Sequence, residues 1–152
     1  MNKDLEIMNH IMQNWMKGSE KYNSELFHFQ PEGNEWSLQQ VLLHMAQIQD
    51  FVGVVLKKQL TKQDELRNTK LKNWYRYIML KLALASSKKF KAPKIVSIIE
   101  NDISLGQIKE NWNQSYTNFV QFMKSFPKDL ENKLIYKHPV IGWININQTL
   151  GF

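Results

Sequence analysis

The sequence predicts a single, all-helical domain, and three observations carry that reading. Apolar residues recur at three- and four-residue spacing in separate stretches, as helices with one buried face require. Three stretches are preceded by a Ser or Asn with Gln three residues on, at Ser37/Gln40, Ser104/Gln107 and Asn145/Gln148. That pairing satisfies free backbone N–H groups at a helix start. Finally, 152 residues with 43% apolar content and no break in composition form one core of ordinary size, spanning 1–152.

The first helix is expected from Lys3 to Lys17, with Leu5, Met8, Ile11, Met12 and Trp15 on its inner face and Gly18-Ser19 as its end. A loop follows through Gln30–Asn34. The second helix starts at the Ser37 cap and runs to about Leu60, with Val41, Met45, Ile48, Val52 and Val55 along one face. Gly53 interrupts it mildly, at a cost of ~1 kcal/mol against Ala. Lys70 to Ser87 is helix-compatible, with a broad pattern of Trp74, Tyr75, Ile78, Met79 and Leu82.

Lys88 to Lys94 reads as a basic linker broken by Pro93, and Ile95 to Ile99 as a strand-like or 3₁₀ connector. The next strong helix runs from Ser104 to about Phe126, on a stripe of Leu105, Ile108, Trp112, Phe119, Phe122, Met123 and Phe126, and Pro127 stops it. His138 to Trp143 is read as loop. Thr149, Leu150 and Phe152 look like the first turn of a last helix, too short to be stable alone.

Composition removes several function classes. With no cysteine there is no disulfide, no cysteine-based zinc site and no protein thiol nucleophile. The N-terminus carries two acids and lacks a long apolar core, so a signal peptide is not expected. No apolar run approaches the ~18 residues of a membrane span, so a cytoplasmic location without a membrane partner is expected. Neither a Gly-rich phosphate loop nor a Gly-x-Ser-x-Gly elbow is present. Net charge is +6, but Lys57 to Lys94 alone carries +10 and the rest −4. That segment could meet phosphate or another anionic partner. Its lysines are scattered and its aromatics bunched, so a solvated face is the plainer reading and nucleic acid is not expected as a partner.

Four histidines remain for chemistry: His10, His28, His44 and His138. His44 lies three after Val41 and four before Ile48, on the face expected to be inner. A buried imidazole needs a hydrogen-bond partner or a metal, since an unsatisfied polar group costs on the order of 1–3 kcal/mol. His44 is therefore either a ligand or a core histidine bonded to a neighbour. His10 falls toward the polar edge of the first helix and His28 in a loop between phenylalanines. His138 precedes a proline and is biased to extended backbone. It could support a metal site from behind the ligands or brace its own loop. Asp50 and Glu110 read as solvated, and no catalytic residue is identified.

Three motifs, weak singly, occur in order across nearly the whole chain. They are Trp36-Ser37 with His44-Met45 downstream, the linker Phe90-Lys91-Ala92-Pro93-Lys94, and His138-Pro139-Val140-Ile141-Gly142 followed by the Asn145 helix start. In this the chain resembles the DinB/YfiT-like superfamily. The resemblance implies an up-down-down-up four-helix bundle, usually a homodimer. It also implies a divalent metal (zinc, nickel or iron) held by three histidines. His44 matches one ligand. The other two would come as His-x-x-x-His on a last helix, shortly after the point matching Phe152, and the sequence does not include them. The last helix is thus expected to be largely missing. Characterised members include thiol-dependent transferases and isomerases that use low-molecular-weight thiols. A metal-dependent transferase or hydrolase is the first expectation, a non-catalytic helical association domain the second, and an anion-binding module the third. An incomplete bundle is expected to pair with a second copy, because Leu150 and Phe152 need an apolar groove.

Overall fold

The computed structural model describes residues 2–32, 35–86 and 103–151. The protein is mostly helical: α1 (Asn2–Ser19), α2 (Ser24–His28), α3 (Leu38–Leu60), α4 (Leu71–Leu84), α5 (Leu105–Lys124) and α6 (Ile146–Leu150). A two-stranded antiparallel hairpin, β1 (Tyr136–His138) and β2 (Gly142–Ile144), precedes α6. The expected linker at Lys88–Lys94 and connector at Ile95–Ile99 lie outside the described residues.

Local chemistry fixes the helix starts. Ser37, Ser104 and Asn145 each accept a hydrogen bond from the backbone N–H three residues on, and the Gln at that position reaches back to the cap's own N–H. Each reciprocal pair satisfies two of the four N–H groups that a helix start leaves unbonded.

The three long helices α1, α3 and α5 enclose the core in two apolar clusters. Leu42, Leu43 and Ala46 near the start of α3 share one cluster with Ile108 and Trp112 near the start of α5. Leu56, toward the end of α3, shares the other with Phe119, Phe122 and Met123. α3 and α5 therefore run parallel. α1 runs against both, since Met12 and Met16 join the first cluster and Leu5 the second. Side chains along the α1–α5 edge agree: the Trp112 indole donates to Asn9 Oδ1 at 2.9 Å, Gln13 donates to Asn113 at 2.8 Å, and Lys109 pairs with Glu20. Ile146 joins the second cluster, so α6 begins at the end where α5 finishes. Leu150 packs against that same cluster, so its need for an apolar groove is met within the chain.

Between the clusters lies a polar layer. Gln49 is buried, and neither its amide nitrogen nor its oxygen has a partner among the described residues. Beside it a cleft of about 40 Å³ is lined in part by Gly53, Ser115 and Phe119. A Cβ at Gly53 would meet the Phe119 ring at 3.5 Å, an ordinary contact.

The faces expected from the sequence are corrected in part. On α1, Leu5, Met12 and Met16 are buried, whereas Ile11 and Trp15 are 44% and 49% exposed. On α3 the buried line is Leu42, Leu43, Ala46, Gln49 and Leu56. Val41, Met45, Val52 and Val55 are only half-buried, and Ile48 is exposed. Both helices carry two apolar stripes, and the expectation chose the outer one on α3. At 100° per residue, Val52 lies a quarter-turn from Gly53, which faces α5, and Ile7, Ile11 and Trp15 lie away from the Asn9–Gln13 edge.

The segment read as loop around His138 is the hairpin, with Tyr136 opposite Ile144 and His138 opposite Gly142. Gly142 has φ +79°, a turn conformation suited to glycine. Backbone bonds from Thr69 N–H to Asn132 O and from Leu134 N–H to Arg67 O tie the approach to α4 alongside the hairpin. α4 packs on it through Leu80, which clusters with Ile141 and Ile144, and Asn73 donates to Trp143 O at 2.9 Å. The Tyr77 hydroxyl sits where a Cβ on Gly151 would be.

Two stability outcomes follow. Gly53→Ala is expected to raise stability by up to about 1 kcal/mol in urea unfolding, since the methyl meets Phe119 without a clash. Gln49→Leu is expected to raise it by roughly 1–3 kcal/mol, because it removes an unpartnered buried amide. A loss of stability in Gln49→Leu would show that the amide is satisfied in solution, for example by an ordered water.

Candidate metal centre at His44

The start of α3 is built tightly. Ser37 is buried, and its Oγ accepts from Gln40 N–H at 3.2 Å. Gln40 Oε1 accepts from Ser37 N–H and from the Gln30 side chain, both at 2.9 Å, which binds the preceding loop to the cap. The cap places Trp36 just ahead of the helix and His44 two turns into it. Their rings meet edge to face, with centroids 4.6 Å apart and planes at 70°. Such a contact holds an imidazole in one orientation, as a ligand requires, and equally serves plain packing.

His44 is half-buried rather than part of the innermost stripe. It lies about 160° round α3 from Ala46, on the side of the helix that carries Val41 and Ile48. The ring therefore does not point into the centre of the α1–α3–α5 core.

His138 closes β1. Its Nδ1 accepts a hydrogen bond from Val140 N–H at 3.2 Å, and its ring stands edge-on to Tyr136. This bond braces the hairpin turn and requires an unprotonated Nδ1. Burial lowers the pKa of the ring below the ordinary imidazole value, which keeps it neutral. His28 ends the short helix α2 rather than lying in a loop, and its Nδ1–H donates to Ser24 O at 2.7 Å. His10 is exposed on α1 and bonds Asn14 at 3.0 Å. Asp50 and Glu110 are exposed, as the sequence suggests.

Among the described residues no three His, Cys, Asp or Glu side chains form a group that could hold a metal ion. Structural and catalytic zinc sites take at least three protein ligands. His44 and His138 are not brought together with a third ligand, so the described residues supply at most a part of a metal centre.

No family model, curated protein or solved structure matches this chain.

Sequence reasoning missed the Trp36–His44 contact, although the capping box that begins seven residues before His44 was a usable signal. It also missed the unpartnered amide of Gln49, whose place on the inner stripe shows only once α3 is oriented.

The His138 ring gives a pH dependence with a definite sign. An imidazole whose pKa is lowered by folding binds protons more readily when unfolded. Its stabilising contribution is therefore complete above the unfolded value, about 6.5, and is lost as pH falls through the lower folded value. Stability of the wild type is expected to drop more steeply below pH 6.5 than that of His138→Gln, as measured by urea midpoints against pH. Parallel curves would remove this role.

Proposed function

We propose that this chain belongs to a DinB/YfiT-like bundle and that the complete protein is a metal-dependent enzyme, a thiol-dependent transferase or a hydrolase. The observation that carries the reading is the order of helix directions. α1 runs up, α3 and α5 run down, and α6 starts at the end from which a fourth helix would run up beside α1. The exposed side chains of Ile7, Ile11 and Trp15 on α1 and Ile48 on α3 are apolar surface that such a helix would cover. His44 stands on the side of α3 that also carries part of that surface, so it supplies one ligand, and two histidines on the fourth helix supply the others. A divalent metal so held acts as a Lewis acid that lowers the pKa of bound water or of a bound low-molecular-weight thiol. The chain's own contribution is to fix the His44 ring by its cap and by Trp36. His138, oriented by the Val140 N–H, supports the site from the hairpin.

The test is metal analysis of the protein expressed with any gene sequence that follows Phe152. The expected result is about one zinc, nickel or iron ion per chain, lost in His44→Ala while the fold is kept. Absence of bound metal, together with activity unchanged by a chelator, sinks the reading.

A second reading is favoured by the exposed apolar side chains of α1: a non-catalytic helical domain that associates through Ile7, Ile11 and Trp15, as a homodimer or with another helix. Light scattering is expected to give a dimer that Ile11→Glu converts to monomer. A wild-type monomer that binds no apolar dye excludes it.

A further inference from the structure

α4 presents its apolar side outward. Leu80 faces the hairpin, whereas Leu71, Tyr75, Ile78 and Leu82 are between 51% and 88% exposed. Their spacing of four, three and four residues places them on one stripe along about three turns, ~17 Å long. Lys81 borders the stripe on one edge and Lys72 on the other. The helix contains no acidic residue, and the stretch from Lys57 to Lys94 carries +10.

The geometry points to a peripheral docking surface for an anionic lipid bilayer, on which α4 lies flat with its stripe in the acyl boundary and its cations among the headgroups. A helix whose exposed side carries an apolar ridge, aromatic residues and a cation on each edge has the form of an interfacial helix. The long Lys stems let the charges reach the phosphates while the ridge inserts. The cationic edges decide against a second copy as the occupant. Two α4 ridges face to face would bring Lys72 and Lys81 against the same cations, and like-charge juxtaposition opposes association. No helix among the described residues is long and apolar enough to cross a membrane, and lying on the surface does not need one.

Co-sedimentation tests this with the 152-residue chain and vesicles of phosphatidylcholine, with or without phosphatidylserine. The chain is expected to sediment with the phosphatidylserine vesicles, and less so as salt rises. Ile78→Glu with Leu82→Glu abolishes binding. Lys72→Ala and Lys81→Ala each weaken it about fivefold. These side chains are exposed, so far-UV circular dichroism of every variant should match the wild type. Three outcomes overturn the proposal: no sedimentation, equal sedimentation on phosphatidylcholine alone, or a double-Glu variant that sediments like the wild type. A wild-type dimer that the double-Glu change dissolves, without vesicle binding, assigns the ridge to a second copy and overturns it as well.

Discussion

The parallel packing of α3 on α5 is the constraint on which the rest of the structure depends. Helices joined by a short loop run antiparallel. A parallel pair needs a crossover long enough to return the chain to its starting end. Here the crossover includes α4, and the opposite direction is supplied by α1. The two helices meet at Gly53, where the Phe119 ring lies at ordinary contact distance from the Cβ position. From that contact the two clusters extend toward either end, each drawing residues from all three long helices. The hairpin and α6 then close the lower end through Ile135, Ile144 and Ile146, all buried.

What the sequence made legible follows the range of each interaction. The caps at Ser37, Ser104 and Asn145 are complete within four residues, so the pattern alone located three helix starts. The α5 stripe was equally clear, since Ile108, Trp112, Phe119, Phe122 and Met123 are all buried and its other faces are polar. α3 offered two apolar faces, and nothing local says which meets a neighbour. Val41, Met45 and Val52 kept as good a period as Leu42, Ala46 and Leu56, yet tertiary packing took the second set. α1 divides likewise between Met12–Met16 and Ile11–Trp15. The hairpin escaped notice because strands of three residues carry no measurable alternation, and only the glycine at 142 marked the turn.

The candidate site was legible to the same degree. His44 stood out because an imidazole interrupts an apolar period, and the structure gives it a ring partner and partial cover. That cover differs from central burial, and the difference follows from the same choice between the two faces of α3. His138 was read as either a supporting group or a loop brace. The bond from Val140 N–H supplies the brace, and it leaves the ring fixed in orientation at the hairpin turn.

The seat of the Tyr77 hydroxyl over Gly151 has a wider consequence. It works as a key in a lock: the phenol enters only because residue 151 is bare of a side chain. A methyl there would force the Tyr77 side chain out of its seat. The end of α6 and the outer helix α4 are thereby brought together at one position that has room only for glycine while Tyr77 keeps its place.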